Sequence, residues 1–490
     1  MQSLWPMAEC GDSGYDQGMQ RNRSAAWAPR ARRPEQDRTA GAGKSPPLLG
    51  AARRMASRWQ QTAIAAARGF GLLPLPVIWV LTRLPLVVLA VALGSQTDTT
   101  YLQYGQQMAA GAVPYRDFAV EYPPPSMLFL ALPALAAHAV GRISSDSYTF
   151  FFGLQSLLLD ALFCLGLARG AGKQAALWYL TLSLIAGSLL QTFDLLPAAL
   201  TAAAVVLRQR GHDRYAWLAL AVAIASKGWP LLLVPLFLAL DVGRPRRLAA
   251  NVGLAVLLFA VLMAPSLLGG ITRAEESLAF HVERQPEVET IYANVAMAAH
   301  DVFGVAARVF VGGSAAVPLA HSSNVLSMLP GWGQLPHLML ALLLVLGYLR
   351  CLPRVRGNPA ALPGSAALLV CLFILGFSVL QAQYILWLLP LAALVLPLAG
   401  NSPTGPEQQM NEQRLRIAAS LVLFALLSHV LQVQWNALLT MQPAVVIVAI
   451  VRNACLVAAL VFLWRGIPTA TRGETTTTAT VAPYGRRAAP

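Results

Sequence analysis

Charged residues are scarce in this sequence. Asp, Glu, Lys and Arg make up 12% of the 490 residues, hydrophobic residues make up 56%, and the mean hydropathy is +0.56. A soluble domain carries about 25% charged residues, so the composition excludes a wholly soluble fold. Many apolar runs reach the roughly 17–25 residues that cross the hydrocarbon core of a bilayer. The sequence therefore predicts an integral membrane protein.

Cysteine and histidine are too few and too scattered to indicate a metal site or a disulfide framework. The five cysteines show no C-x-x-C spacing, and His281 stands alone near Glu283. The sequence also lacks the G-x-x-x-x-G-K-[ST] loop that binds nucleotide phosphates. We therefore expect no metal and no other cofactor. The net charge of +14 is better explained by basic cytoplasmic loops than by a nucleic-acid partner.

The two ends of the chain differ in composition from the middle. Residues 1–67 are rich in Arg, Ala, Gly, Pro and Gln and show no hydrophobic periodicity, so they cannot bury a core. We expect 1–67 and 466–490 to be disordered cytoplasmic tails around a transmembrane domain at 68–465. No apolar signal-peptide region is visible near the start, and Met55 is an alternative start to Met1.

The apolar runs predict an all-α polytopic protein with about twelve transmembrane helices (range 10–13). The two long loops between them, 96–146 and 267–332, are placed on the outer side, and both termini inside. The predicted spans are 71–95, 147–168, 174–191, 195–208, 215–226, 229–241, 248–266, 333–350, 362–380, 384–400, 416–434 and 441–464.

Basic residues support this orientation. Inner segments hold 28 Lys and Arg, outer segments hold six, and only Arg83 and Arg452 fall within spans. This is the bias of the positive-inside rule. Residues 124–141 are apolar, but a span there would invert the following hairpins, so we interpret them as an interfacial or re-entrant helix on the outer side. Residues 294–312 are interpreted in the same way.

The first outer loop, between Asp98 and Ser126, concentrates tyrosines and carboxylates. Aromatic faces and carboxylates together suit sugars, which offer apolar C–H faces and many hydroxyl groups. A carboxylate here could accept the proton of an attacking acceptor hydroxyl. Aromatic residues at an interface also anchor helices, so the loop by itself leaves both interpretations open. Its candidate residues are Asp98, Tyr101, Tyr115, Asp117, Glu121 and Tyr122.

Every short outer turn also carries a polar group at or near membrane depth, where charges are costly and are usually paired or functional. Lys227 interrupts an apolar stretch and is followed by Trp-Pro. A broken helix there would direct backbone groups and the ammonium at one point, which suits a phosphate. Asp194 and Gln383 lie at two other turns. Together these positions predict one polar cavity that opens outward.

Several of these positions fall into motifs of a known family. One series of motifs resembles the first loop of membrane mannosyltransferases of the GT-C superfold. It consists of Asp98-x-x-Tyr101, Gly111-x-x-Pro-Tyr115 and Glu121-Tyr-Pro-Pro124. The closest likeness is to the glycosyltransferase 87 family of polyprenyl-phosphate-mannose-dependent α-mannosyltransferases. The likeness runs from about residue 75 to 464. Further motifs follow in the family's order: Phe193-Asp194-Leu-Leu-Pro197, Ser226-Lys227-Gly-Trp-Pro230, Arg284-Gln285-Pro-Glu-Val-Glu289 and Gln383-Tyr384-Ile-Leu-Trp387-Leu-Leu-Pro390.

The resemblance implies an inverting transfer of a hexose, with mannose as the expected sugar, from a polyprenyl-phosphate sugar to a glycolipid or glycan acceptor. It implies a GT-C-like fold in a bacterial plasma membrane, with the active site facing outside. Asp98 aligns with the family's general base, with Asp117 and Glu121 as competitors. Lys227 and Arg284 would stabilise the departing phosphate. Glu121, Asp194 and Tyr384 would shape the sugar pocket, where Gln383 also lies.

Two other classes stay open at this stage. A transporter or flippase of lipid-linked sugars would also have about twelve spans with polar groups near membrane depth. A non-catalytic subunit of a membrane assembly is the third possibility. The polar groups cluster on one side and the two halves show no internal repeat, which favours a transferase. The sequence does not identify the acceptor.

Overall fold

The computed structural model describes residues 73–92, 94, 97–141, 143–272, 275, 284–313, 321–327, 331–398 and 405–466. All of them belong to the unit Arg68–Pro490. The predicted tail at 1–67 lies outside the described residues, and so does the predicted tail at 466–490 apart from Gly466, which ends the last helix. The described part of the chain is helical apart from one β-hairpin.

The first half of the described chain is a series of helices joined by short turns. Proline opens or interrupts several of them, and short 3₁₀ turns lie between some of them. The helices are α1 (Leu75–Ala92), α2 (Thr99–Ala109), α3 (Pro124–Ala139), α4 (Ser145–Ala171), α5 (Lys173–Ser183), α6 (Leu195–Gln209), α7 (Asp213–Ser226), α8 (Val234–Asp241) and α9 (Pro245–Met263), with 3₁₀ turns at Gly187–Leu190, Trp229–Leu233 and Ala264–Leu267.

The second half begins with a small outer-loop structure and returns to long helices. Strands β1 and β2 form an antiparallel pair in which Val309 lies opposite Val325. The elements are α10 (Ile291–Phe303), β1 (Ala307–Gly313), β2 (His321–Ser327), α11 (Leu335–Gly357), α12 (Leu362–Gly376), α13 (Ile385–Val395), α14 (Pro406–Val433), α15 (Trp435–Leu439) and α16 (Pro443–Gly466), with 3₁₀ turns at Pro359–Ala361 and Ala382–Tyr384.

Seven helical segments of the described chain are long and apolar enough to cross a membrane. Four shorter apolar segments accompany them, including α3 and α6. Large apolar side chains such as Leu84, Val91 and Leu338 are exposed, as expected of surfaces that face lipid. The predicted all-α polytopic class is therefore confirmed. Each of the twelve predicted spans contains helix, but the number that cross the membrane and the inside–outside orientation stay predictions.

The outer loops hold more regular structure than the sequence predicted. Helix α2 lies inside the predicted first outer loop, where the sequence analysis predicts no helix before residue 124. The interfacial helix predicted at 294–312 is wrong in its second part, because α10 ends at Phe303 and β1 begins at Ala307. The residues Arg-Val-Phe-Val at 308–311 include β-branched and aromatic side chains that favour a strand. The predicted helix at 124–141 is present as α3.

The core of the bundle forms around α12 and α13. Nearly all residues of both helices are buried, including Leu369, Val370 and Leu388. An apolar sequence on every face suits a helix enclosed by other helices. Helix α13 begins directly after the 3₁₀ turn Ala382–Tyr384, so the core holds that turn in a fixed position at its end.

Candidate active site

A cavity of about 860 Å³ lies between the first outer loop and the turns that follow α7 and α12. Its volume is within the roughly 300–1,000 Å³ typical of small-molecule sites. The polar side chains that line it come from six separate stretches of the chain, which include the first outer loop, Ser266 and Tyr348. Nine of the eleven residues predicted from the sequence are among them: Asp98, Tyr101, Tyr115, Glu121, Tyr122, Lys227, Arg284, Gln383 and Tyr384.

Asp98 lies at the start of α2 and forms its N-cap. Its Oδ1 accepts a hydrogen bond from the Thr100 backbone N–H at 2.8 Å. Aspartate is among the best residues at this position because it satisfies an amide that the helix leaves unpaired. At the other end, Gly111 follows the C-cap with φ +92°, a conformation that glycine adopts without strain. The cap fixes the position of the Asp98 carboxylate at the cavity wall.

Glu121 is the second carboxylate of the cavity, and it is buried. The Tyr104 hydroxyl donates a hydrogen bond to its Oε2. Burial raises the pKa of Glu121, although this hydrogen bond favours the charged form, and the nearby Asp98 carboxylate adds to the rise. The cavity thus holds two carboxylates in different surroundings, one exposed at a helix start and one buried against tyrosine.

Tyrosine side chains line the part of the cavity next to these carboxylates. Tyr115 has φ +69°, a left-handed conformation that is strained for a bulky residue. Two contacts hold it there: its N–H donates to the Phe118 carbonyl at 3.0 Å, and its hydroxyl donates to the Tyr122 carbonyl at 2.5 Å. The ring of Tyr122 also packs edge-on against Phe193, 5.0 Å between centroids. The tyrosines are therefore held rigidly.

Lys227 lies at the predicted helix break. Helix α7 ends at Ser226, Lys227 is extended, and the next turn begins at Trp229. Its Nζ is 2.6 Å from Asp194 Oδ1, and its side chain remains 19% exposed. The rings of Phe193, Tyr384 and Trp387 lie 4.8, 5.4 and 5.0 Å from Nζ, a cation–π arrangement.

Asp194 does not line the cavity but lies directly behind Lys227, fully buried. Its Oδ1 accepts hydrogen bonds from both Lys227 Nζ and, at 2.5 Å, Trp387 Nε1. Of the described residues, none hydrogen-bonds its Oδ2. The carboxylate therefore orients the ammonium rather than contacting the cavity itself.

Arg284 is the second cation of the cavity, with a side chain 12% exposed. Its Nη2 pairs with Glu287 Oε1. Burial raises the pKa of Glu287 to about 7, while Arg284 opposes the rise. The pKa of Arg284 is raised by the neighbouring carboxylate charge, although burial acts against it. Glu287, which sequence reasoning did not select, sets how much net positive charge Arg284 presents.

The 3₁₀ turn Ala382–Tyr384 carries the Gln383 and Tyr384 side chains to the cavity. Gln381, just before it, also lines the cavity and hydrogen-bonds the Glu287 side chain. The Tyr384 ring stacks on Trp387 with 3.8 Å between centroids, and Trp387 stacks on Trp229. Trp387 lies one helical turn after Tyr384, and this i, i+3 spacing was the sequence signal that could have identified it.

A further part of the cavity wall is apolar. Leu231, itself 59% exposed, lies where this wall meets the outer surface of the protein. Tyr348 closes one side and donates its hydroxyl to the Leu232 carbonyl at 2.9 Å. These apolar residues carry no motif, so only the tertiary structure identifies them. The wall is formed by Leu231, Leu232, Val234, Pro235, Met263, Phe373 and Phe377.

Asp117 is the one predicted site residue that lies away from both the cavity and its supporting contacts. It is exposed, pairs with Arg116 at 2.9 Å, and accepts the Val113 N–H at 2.7 Å. The hydrogen bond from Arg116, followed by that from Val113, lowers the pKa of Asp117 to about 2. Its side chain stabilises a turn of the loop, so the structure does not bring it to the substrate position that the sequence predicted.

The side chains around the cavity suit a reaction in which a hydroxyl group loses its proton and negative charge develops on a leaving group. A carboxylate can take a proton from a hydroxyl, and two cations can stabilise developing negative charge. Across the described residues, no three His, Cys, Asp or Glu side chains are grouped so that they could hold a metal ion.

Comparisons with known proteins give only distant likenesses. No family model matches the chain, and no curated protein matches it. Solved structures of ArnT from Cupriavidus metallidurans, in the apo state and bound to undecaprenyl phosphate, are 16% identical to this chain. Each likeness covers 84% of this chain and 78% of that one, with TM-scores of 0.37 and 0.38. These scores are too low to assign a fold or an activity.

Proposed function

We propose that the protein is an integral-membrane glycosyltransferase. The transferred sugar is a hexose, which we propose to be mannose. The donor is a polyprenyl-phosphate sugar, and the acceptor is a glycolipid or glycan. The observation that carries the proposal is the composition of one cavity. Its lining combines carboxylates, cations and tyrosines with a set of apolar side chains, of which Leu231 is exposed at the surface. A polyprenyl-phosphate sugar likewise combines a sugar, a phosphate and an apolar chain.

The apolar wall accounts for the lipid part of the donor. Leu231 is exposed where the wall meets the surface, and helix α9, which carries Met263, is exposed along most of its length. A chain of isoprene units can therefore reach the cavity from the bilayer without crossing water. A soluble nucleotide sugar would not require such a wall. This combination of groups supports the donor that the resemblance to glycosyltransferase 87 implies.

The transfer is proposed to proceed with inversion in a single displacement. The acceptor oxygen attacks the anomeric carbon, the bond from that carbon to the phosphate oxygen breaks, and the acceptor proton passes to the Asp98 carboxylate. The electron pair of the broken bond stays on the leaving polyprenyl phosphate. Lys227 and Arg284 face the cavity as the cations that stabilise this charge. The site is proposed to face the extracytoplasmic side of a bacterial plasma membrane.

Asp98 is proposed as the general base because its cap bond engages one oxygen and leaves the group at the cavity wall. The test is transfer of radiolabelled mannose from polyprenyl-phosphate mannose in vesicles by the Asp98→Asn variant. Asparagine caps a helix as well as aspartate does, so this substitution removes basicity and keeps α2 intact. Loss of a general base costs about 10²–10⁴-fold in rate.

Asp117→Asn is the matched control, because it is the same substitution in the same loop, outside the cavity. We expect its transfer rate to stay within about twofold of the wild type. Full activity of Asp98→Asn would exclude Asp98 as the base. If Glu121→Gln lost transfer while Asp98→Asn kept it, the base would be assigned to Glu121. Accumulation of the lipid-linked sugar across the vesicle, without a new glycosidic product, would identify a transporter instead.

A further inference from the structure

A second buried ionic cluster lies behind the cavity, on the last long helix. Arg452 of α16 is fully buried, and its Nη1 is 2.6 Å from Glu289 Oε1. Its Nη2 donates to the Glu289 backbone carbonyl, so the guanidinium engages both the side chain and the main chain of one residue. Arginine is suited to this because its planar fork presents several donors in fixed directions.

Neighbouring amides complete the cluster. Asn453 Nδ2 donates to the same Glu289 carbonyl at 3.0 Å and to Asn294 Oδ1 at 2.7 Å. Asn294 Nδ2 in turn donates to the Val288 carbonyl at 3.0 Å. All four polar residues are buried. Two consecutive carbonyls of the segment after Arg284 are thereby bound by side chains of the cluster.

The cluster also reaches the second cavity-bearing turn. The backbone N–H of Ala382 lies near the Glu289 carboxylate and favours its charged form, and Ala382 lies between Gln381 and Gln383, both of which line the cavity. A parallel link joins Glu287 to Gln381 through side chains, and the Glu287 N–H donates to the Ser378 carbonyl at 2.9 Å. Arg452 therefore stabilises the carboxylate that joins the two segments.

We propose that Arg452 and Asn453 are positioning residues that hold the Arg284–Glu289 segment against the Gln381–Tyr384 turn, and so set where the Arg284 cation lies for the donor phosphate. They do not contact the cavity. The inference rests on the proposed function for its kinetic consequence, whereas the structural link between Arg452 and the two segments can be measured without any substrate. Small displacements of a positioned charge have large effects on a reaction that needs it.

The chain offers a matched control for the loss of a buried arginine. Arg83 pairs with Asp160 at 2.7 Å and is as buried as Arg452. Its other partners are Ser183 and the Leu180 carbonyl, and none of these residues lines the cavity. Arg83→Lys and Arg452→Lys therefore remove the same fork from equally buried sites, and only one of these sites is joined to the cavity.

The experiment measures hydrogen–deuterium exchange and donor kinetics on the full chain in nanodiscs. For Arg452→Lys we expect amide exchange at 284–294 and 381–387 to rise about tenfold, and the donor KM to rise about tenfold with a smaller change in kcat. Asn453→Ala, which removes only hydrogen bonds, should change both quantities in the same direction by a smaller factor. Arg83→Lys should leave exchange in these two segments and the donor KM unchanged.

Unchanged exchange at 284–294 and 381–387 in both Arg452→Lys and Asn453→Ala would overturn the proposal. The same would follow if Arg83→Lys raised exchange there equally, because the effect would then be a general loss of stability. If the wild type transfers no sugar from any polyprenyl-phosphate donor, the proposed function fails, and the exchange measurements still decide whether Arg452 holds the two segments.

Discussion

Charged side chains have two kinds of surroundings in this protein. At the cavity, Lys227 lies beside Asp194 and remains 19% exposed. Away from the cavity, Arg83 is 2% exposed and donates to Asp160, Ser183 and a backbone carbonyl. The buried arginine uses its donors within the protein, as a charge removed from water must. The cavity lysine keeps part of its surface available, so unlike Arg83 it can stabilise a charge that arrives with a ligand.

Replacing Lys227 tests the cavity side of this comparison and, of the replacements that test it, has the largest expected effect on transfer. Lys227→Met should lower kcat/KM for transfer by about 10²–10³-fold, because a cation beside a leaving phosphate stabilises charge in the transition state. Lys227→Arg keeps the charge and should retain more activity than Lys227→Met. Steady-state transfer kinetics in vesicles measure both. Wild-type kinetics in Lys227→Met would place the phosphate elsewhere.

Replacing Arg83 tests the buried side. Arg83→Met leaves Asp160 buried without a counter-ion, which should lower the free energy of unfolding by about 3–5 kcal/mol. Transfer per folded molecule should not change. The double variant Arg83→Met with Asp160→Asn removes both charges and should recover most of the stability. Thermal unfolding in detergent gives the stability. A selective loss of transfer at full stability would contradict the distinction drawn above.

The Arg284–Glu287 pair is intermediate between these two kinds of surroundings, because it lies at the cavity but is largely buried. A change of pH can alter the net charge of this pair. Burial raises the pKa of Glu287 to about 7 from an ordinary value of 4.5. As pH falls through about 7, Glu287 takes up a proton and stops neutralising Arg284. The donor phosphodiester keeps its single negative charge over this range, so it should bind more tightly at the lower pH.

We therefore expect the Kd of the donor to fall about tenfold from about pH 8 to about pH 6. Glu287→Gln should bind tightly at both values, because its side chain carries no charge to titrate. The measurement is quenching of intrinsic tryptophan fluorescence by the donor. An equal pH dependence in the wild type and in Glu287→Gln would mean that another group titrates.

The smallest effect is expected at Trp387. Trp387→Phe keeps an aromatic ring beside Tyr384 and removes the hydrogen bond to Asp194, which retains its bond from Lys227. One net hydrogen bond contributes about 0.5–1.5 kcal/mol, so the donor KM should rise about threefold. Transfer kinetics at varied donor concentration measure it. A loss as large as that of Lys227→Met would show that Trp387 contributes more than a hydrogen bond.

The helical class and most of the cavity polar residues could be predicted from the sequence. Long apolar runs must be helical in a bilayer, because every backbone group needs a partner there. Polar residues such as Lys227 and Glu121 stood out because they interrupt apolar sequence or follow a recognisable order. The strand at 307–313 was missed because a short apolar run looks alike as helix or strand.

Other features of the site were beyond the reach of the sequence. Asp117 and Asp98 are the same residue type in the same loop, and apart from the family resemblance, which favours Asp98, nothing in the sequence separates them by function. The structure does so, because one caps α2 at the cavity and the other stabilises an exposed turn with Arg116. Glu287 and Glu289 also looked alike, yet one pairs with the cavity cation Arg284 and the other with the buried Arg452.

By itself the sequence determined that this is a helical membrane protein with carboxylates, tyrosines and cations near the ends of its apolar segments. Those properties are local, since they follow from the hydrophobicity of runs and from residue types at turns. They also predicted one polar cavity, but only the tertiary structure decided that Asp117 lies outside it, that Asp194 lies behind it, and that Arg452 pairs with Glu289, 163 residues away along the chain. Pairings over such distances depend on how helices pack, and that information is spread over the whole core.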